Sequence, residues 1–395
     1  MKEKLIVLVK YFRFLYSIYY YVLNFVLNIL KIFIKKDEKL ILINSFGGKK
    51  YDDSPKMLYE AMKKDKRFED YQFVWAFHKP QNYRVEGAEI IKTDSFKYFK
   101  TALKAGIWIT NSGIERGLKF KNKHTLYINT WHGTPIKRMG TDINDNNKSF
   151  KSIESSNVDV FTVQSDFEAE IFGRVFNIND EAIYKTGLPR NDKLAKCEKE
   201  ECIELKSKLG LPIDKKIILY APTFREYERD EMLNCCFNSP IDVEMWKKKL
   251  SDKYCLLIRA HYEVSKMMEI KNDGFVKDVS DYENLDDLMI ASDILISDYS
   301  SIFFDYSIMD KIMLHFTYDY DKYNEQRGLY FDIRNWLNGS DNEEELINLI
   351  RNMDETTEII RNKNFRDKYV EYYGNATQNC IDVIANKNCE KRMIL

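Results

Sequence analysis

Two of the five histidines stand where they could handle a proton beside an anion. His132 lies in TWHGTPIKRMG (130–140), directly after the β-branched and aromatic run TLYINT (125–130), which reads as a buried strand. The carboxyl end of a strand is where open α/β sheets bind ligands. Gly133 allows close backbone approach, and Pro135 at a helix N1 position would leave amide donors facing outward. With Lys137 and Arg138 following, the segment reads as an anion site; the plainer alternative is a packed histidine at a turn.

The second candidate, His261, closes the run YCLLIRAH (254–261) two residues after Arg259. Residues i and i+2 of a strand point to one side, so a guanidinium and an imidazole would face the same cleft. Further on, ILISDYSSIFFDYSIM (294–309) reads as a strand running through SDYSS into a helix. Ser300 and Ser301 offer hydroxyls and amides at that helix start, and Asp305 lies one turn along the same face. An N-cap accounts for one serine but not for the cluster. Of the other histidines, His78 and His124 are flanked by lysines and read as surface residues, while His315 sits inside an apolar strand and reads as core.

Alternating strands and helices must position these groups. LILINSFGG (40–48), YQFVWAF (71–77), AEIIKT (88–93), GIWITNSG (106–113), VDVFTVQSD (158–166) and IYKTGLP (183–189) form one βαβ series; KKIILYAPTF (215–224), YCLLIRAH, FVKDVS (275–280), DILISDYSS (293–301) and KIMLHF (311–316) form a second. Such series imply parallel sheets. The expected organisation is α/β, with an N-terminal segment (1–36), a Rossmann-like domain (37–200) and a second Rossmann-like domain with closing helices (201–395), the two domains facing a cleft. His132 from one half and His261 from the other would meet there.

The N-terminal segment has its own pattern. Residues 5–34 are almost wholly apolar and aromatic, with Lys10, Arg13, Ser17, Asn24, Asn28, Lys31 and Lys35 spaced by three, four or seven, which gathers them on one face of a helix. The uncharged stretch 14–30 is marginal for spanning a bilayer, and no cleavage site follows it. A basic stripe against many Tyr and Phe fits a helix lying in the headgroup region of an anionic leaflet; packing on its own domain or on a partner chain is the alternative.

The 395 residues carry 61 basic and 62 acidic side chains, so no global charge calls for nucleic acid. Seven cysteines show no CxxC and no zinc spacing and read as reduced thiols. Asp319-Tyr320-Asp321 is the one DxD-like element; a solvated loop is its expected setting, and neither a metal nor a cofactor is expected.

Taken together and in order, WHGTP, APTFRE, RAH and SDYSSIFFD resemble the CDP-glycerol glycerophosphotransferase family, enzymes that prime or polymerise the poly(glycerol phosphate) and poly(ribitol phosphate) of bacterial wall teichoic acid and related capsules. FTYDYDKYNEQRGLYFD (316–332) looks like the same family's later segment, and the resemblance covers roughly residues 40–335. It implies a GT-B fold with a CDP-alcohol in the C-terminal half and an acceptor reaching the N-terminal half. It also implies that Trp131, His132, Gly133, Thr134 and Pro135 line the cleft, that Pro222 and Thr223 approach the nucleotide, and that Arg259, His261, Ser300, Ser301 and Asp305 hold the donor, with Arg190 as a further family arginine.

On that footing a terminal hydroxyl attacks the β-phosphorus of CDP-glycerol or CDP-ribitol and expels CMP. His132 is the expected base, with the reverse assignment to His261 open, and fixed donors steady the phosphoryl charge. The expected setting is the cytoplasmic face of the membrane, as a peripheral protein acting on a lipid-linked acceptor, with monomer and homo-oligomer both open. A GT-B glycosyltransferase using a nucleotide sugar is the competing reading.

Overall fold

The computed structural model describes residues 13–143, 157–225, 240–260 and 270–393. Among the described residues thirteen strands fall into two sheets, parallel throughout. The first contains β1 (Asp37–Asn44), β2 (Gln72–Phe77), β3 (Ala88–Lys92), β4 (Ala105–Thr110), β5 (Leu126–Asn129), β6 (Val160–Val163) and β7 (Ile183–Lys185), in the order β3-β2-β1-β4-β5-β6-β7. The second contains β8 (Lys216–Tyr220), β9 (Tyr254–Ile258), β10 (Val276–Asp278), β11 (Ile294–Ser297), β12 (Ile312–Phe316) and β13 (Asn338–Ser340), in the order β10-β9-β8-β11-β12-β13. Both faces of each sheet are covered by helices, so strands such as AGIWIT and IMLHF are buried along their whole length and read as continuous apolar runs rather than alternating ones.

Each sheet reverses its winding once, between β1 and β4 in the first and between β8 and β11 in the second. These are the places where the loops after neighbouring strands diverge and leave a crevice. β13 carries no strand signature: it is the three polar residues NGS at an edge, paired with β12 from Leu314↔Asn338 to Phe316↔Ser340. Gly339 faces the His315 backbone so closely that a side chain could not fit.

The helix Arg13–Phe33 packs on the first half through Asn24, Asn28 and Lys31 of its polar stripe, which turn inward and not toward a headgroup layer. Asn24 Oδ1 accepts from Lys119 N (2.6 Å), Asn28 Nδ2 donates to Lys119 O (3.0 Å) and Lys31 Nζ donates to Asn28 Oδ1 (2.6 Å). The reason is local: the 119–121 backbone offers unpaired donors and acceptors that these side chains satisfy. What remains outside is apolar, with Tyr21, Phe25, Ile32 and Phe33 at 67–78% exposure, joined by the exposed Phe96. Among the described residues no helix is long and apolar enough to cross a membrane.

The last helix, Ala376–Met393, leaves the second half and returns to the first sheet. Cys380, Ile381 and Ile384 are buried with Ile41, Ile43 and Leu58, and Lys391 Nζ reaches Thr125 O (2.9 Å) and Asp159 Oδ1 (2.7 Å). The two halves are therefore stitched by the chain end as well as by the connection near residue 190.

Candidate active site

His132 follows β5. Its Nδ1 lies 2.6 Å from the carbonyl oxygen of Asn111, and a carbonyl can only accept, so Nδ1 carries the hydrogen and Nε2 keeps the free lone pair of the neutral ring. Trp131 stacks on the imidazole (centroids 4.1 Å apart, planes at 29°), and the ring of Phe46, from the loop after β1, lies 5.7 Å from it, centroid to centroid. Burial lowers the His132 pKa below its usual 6.5, reinforced by Arg190 and opposed by the Asn111 hydrogen bond and Asp53. The ring is thus neutral at physiological pH, the form a base requires.

Trp131 (φ +48°) and Gly133 (φ +148°) both hold backbone angles that most residues avoid. A buried network under the loop maintains them. The hydroxyl of Thr134 donates to Glu168 Oε1 and accepts from Gln164 Nε2 (2.6 Å), while Glu168 Oε2 accepts from Gln164 N (2.6 Å). Thr134 therefore holds the loop from beneath rather than facing the cleft. No helix starts at the half-buried Pro135: residues 136–138 run extended and pair with the other half, Tyr330 N donating to Ile136 O (2.8 Å) and Arg138 N to Gly328 O (3.0 Å). There is therefore no helix N-terminus at this point, and of the amides expected to face outward that of Arg138 is taken by the Gly328 carbonyl.

Arg190 links the halves. Its Nη1 donates to Asp53 Oδ2 (3.0 Å) and to the His132 carbonyl (2.8 Å), while Nη2 donates to both oxygens of Asp305 (2.9 and 2.8 Å). Asn191 Nδ2 also donates to Asp305 Oδ1 (2.8 Å). Asp305 is buried and fully committed to these partners, so it positions Arg190 and does not reach outward to a donor. The helix that carries it, Ile302–Tyr306, is only five residues long, too short for a large dipole.

On the second sheet, the loops after β8 and β11 meet at the winding reversal. Asp298 Oδ1 accepts from Thr223 N (2.9 Å) and Tyr299 N (2.7 Å), and its Oδ2 pairs with Arg225 Nη1 (2.9 Å). Arg225 is buried and also forks onto Asp319 (2.7 and 2.8 Å), with Tyr299 and Tyr323 flanking the guanidinium. Asp319 is therefore a structural ion-pair partner and not part of a solvated loop. Among the described residues no cluster of three or more His, Cys, Asp or Glu could hold a metal. Thr223 presents a buried hydroxyl without a hydrogen-bond partner among the described residues, with Pro222 half-buried beside it.

Ser301 touches the histidine loop: a Cβ on Gly133 would lie 2.9 Å from Ser301 Oγ. Ser300 Oγ accepts from Ile302 N (3.3 Å), the first amide of the short helix. Arg259 lies one residue beyond β9 and is held by the carbonyls of Tyr282 (2.6 Å) and Val279 (3.3 Å). His261 lies outside the described residues. His315 is buried in β12 with its pKa pushed down to about 4 by burial, and His78, expected on the surface, has its ring half-buried against Thr93 (2.7 Å).

Sequence reasoning singled out His132, Gly133, Arg190 and the serine pair but missed Asp53, Glu168 and Arg225. Arg225 stands inside the quoted APTFRE. Asp53 and Glu168 show no sequence signal, since both are first-turn acids of helices and look like ordinary dipole partners.

Known proteins carry the same architecture. The model of the CDP-Glycerol:Poly(glycerophosphate) glycerophosphotransferase family matches residues 26–386. The teichoic acid glycerol-phosphate transferase of Staphylococcus aureus is 35% identical over 336 residues, covering 81% of this chain and 85% of the relative. The teichoic acid poly(glycerol phosphate) polymerase of Bacillus subtilis is 34% identical over 82% of this chain, which spans only 44% of that longer protein. The solved structure of the wall teichoic acid polymerase TagF superposes with a TM-score of 0.80 at 31% identity, covering 97% of this chain and 99% of that one. With two Rossmann-like sheets in a GT-B-like arrangement, the chain belongs to the CDP-glycerol:poly(glycerophosphate) glycerophosphotransferase family.

Proposed function

We propose that this enzyme moves glycerol phosphate from CDP-glycerol to a terminal hydroxyl of a membrane-linked teichoic acid or capsule-type acceptor, with His132 as the base. The observation that carries the assignment is the Asn111 carbonyl at 2.6 Å from His132 Nδ1, which leaves Nε2 free to accept a proton at the loop touching Ser301. The acceptor oxygen bonds to the β-phosphorus as its proton passes to Nε2; the bond between that phosphorus and the bridging oxygen breaks, and CMP leaves with the bridging oxygen and its electron pair. Donors at the β8–β11 reversal, among them Ser300, Ser301, Thr223 and Arg259, are suited to steady the charge on the diphosphate, a matter of positioning and electrostatics. His261 is a second candidate for the donor side or for the base.

The apolar outer face of the Arg13–Phe33 helix supports a peripheral position on the cytoplasmic membrane face. Tyr21, Phe25, Ile32 and Phe33 project from a helix already anchored by its polar side, the disposition of an interfacial helix. A lipid-linked acceptor would then be held at the height of the cleft.

The deciding experiment is CMP release from CDP-glycerol and, in parallel, CDP-ribitol, with a membrane-lipid acceptor mixture. Acceptor-dependent release from CDP-glycerol, lost in His132→Ala, is the expected result. Folded protein that consumes neither CDP-alcohol but turns over a nucleotide sugar would overturn the proposal in favour of a glycosyltransferase.

A further inference from the structure

A second crevice opens at the carboxyl edge of the first sheet, at its winding reversal between β1 and β4. Its cavity of about 470 Å³ is of the size that takes a small ligand. The loop after β1 contributes Phe46, Gly47 and Lys49, the end of β2 contributes His78, and the loop after β4 contributes Ser112 and Arg116. The backbone is tied in place, Phe46 N donating to Asn111 Oδ1 (2.7 Å) and Gly47 N to Ser112 Oγ (2.9 Å).

Two basic side chains, Lys49 and Arg116, line it beside the carboxylate of Glu115. Arg116 forks onto Asp94 through Nε and Nη2 (2.7 and 2.9 Å), leaving Nη1 out of that pair and 3.0 Å from where a Cβ on Gly47 would sit. Lys49 is exposed and has no ion-pair partner among the described residues. Burial keeps the His78 pKa down, and Arg116, Lys49 and Lys92 add to that against a single opposing carboxylate, Asp94. The one carboxylate in the lining, Glu115, has its Oε1 engaged as acceptor by the amides of Phe120 and Lys121 (both 2.9 Å). Phe46, which lines the crevice, has its ring centroid 5.7 Å from that of His132, and Asn111, whose carbonyl holds the imidazole, precedes Ser112 in the chain.

We propose that this crevice is an acceptor subsite that binds the anionic phosphodiester of the unit behind the attacking glycerol, with Lys49 and Arg116 Nη1 as the phosphate contacts. A glycerol backbone of three carbons would run past Phe46, placing its free hydroxyl at His132 Nε2 while its phosphate rests among the cations. The inference rests on the proposed glycerophosphotransfer and adds the site that selects a phosphate-bearing acceptor over an uncharged alcohol.

Two measurements with glycerophosphoglycerol as the probe test it. Binding to the full-length chain by calorimetry, without CDP-glycerol, is expected to weaken roughly tenfold or more in Lys49→Glu and less in Lys49→Gln, as loss of a charge-assisted contact predicts. In turnover with CDP-glycerol, the same variants should raise KM for glycerophosphoglycerol by a larger factor than KM for plain glycerol as acceptor. Equal binding of the probe to wild type and Lys49→Glu, with both proteins folded, would overturn the subsite. Failure of CDP-glycerol to react in wild type, with charge-dependent probe binding intact, would instead overturn the transfer reaction and leave the subsite standing.

Discussion

Gly133 meets Ser301 across the two halves of the molecule. A Cβ at Gly133 would fall 2.9 Å from the Ser301 hydroxyl and 3.1 Å from its Cβ, so the backbone of the histidine loop touches the serine loop with no room for a methyl group. Gly133 also holds φ at +148°, a strained value for an L side chain.

Gly133→Ala should therefore lower kcat by about one to two orders of magnitude, because displacing the loop by a fraction of an ångström misplaces His132. Part of that loss should return when Ser301→Gly makes room, although the backbone strain remains. A double-mutant cycle on kcat checks the coupling; strictly additive effects would show that the two loops do not constrain each other.

The role proposed for His132 as base makes a prediction about pH. Its pKa lies below 6.5, so kcat/KM should rise with pH along an acidic limb whose midpoint is below that value and be level through neutrality. In His132→Asn the limb should vanish and kcat/KM should fall by roughly 10²–10⁴-fold, the usual worth of a positioned base. An unchanged limb in the variant would assign the titration to another group.

Arg190 is buried with its charge balanced by Asp53 and Asp305. Asp305→Ala leaves that guanidinium partly unpaired and also frees Asn191; removing one member of a buried pair costs about 3–5 kcal/mol. Urea unfolding of Asp305→Ala should show a loss of that order, with Asp305→Asn intermediate because an amide can still accept from Arg190. If Asp305→Ala lost CDP-glycerol affinity at full stability, the carboxylate would be a donor ligand and not the clamp described above.

The membrane assignment is separable from folding. Phe25 and Ile32 are 67% and 78% exposed, so Phe25→Glu with Ile32→Glu should leave the melting temperature nearly unchanged while abolishing flotation with vesicles containing anionic lipid. Undiminished flotation would remove this helix as the anchor.

Much of this was legible in the sequence because parallel strands buried on both faces are long apolar runs: LILIN, GIWIT and DILIS announce themselves, as do the loops behind them. The WHGTP and SDYSS segments were visible for the same reason, each lying just past such a strand. Partnerships made across the cleft were not legible. Nothing in IKRMG says that residues 136–138 will pair with 328–330 rather than begin a helix, and nothing in SIFFD says that Asp305 will be claimed by Arg190, which is 115 positions away. The direction of the Asn24, Asn28 and Lys31 stripe was equally hidden, since a polar face can seek water or a backbone edge with one and the same periodicity.

Glu168 yields the last prediction, through linkage. Burial holds its carboxyl up to about 7 against an ordinary 4.5, with Thr134, Gln164 and Arg190 opposing the rise. Below pH 4.5 the group is protonated folded or unfolded and contributes no difference. Between 4.5 and 7 the unfolded chain ionises while the native state keeps its proton, so unfolding releases a proton and native stability falls as pH rises. Above 7 both states are ionised and the penalty is constant, on the order of 3 kcal/mol. Glu168→Gln keeps acceptor and donor atoms beneath Thr134 but cannot ionise. Its stability relative to wild type should therefore climb from pH 4.5 to 7 and then level, as read from urea unfolding across that range. Activity should survive in Glu168→Gln and fall in Glu168→Ala, which leaves the Thr134 hydroxyl and the Gln164 amide without their acceptor and lets the histidine loop relax. Parallel stability curves for wild type and Glu168→Gln would mean that Glu168 is ionised throughout and holds Thr134 as a carboxylate.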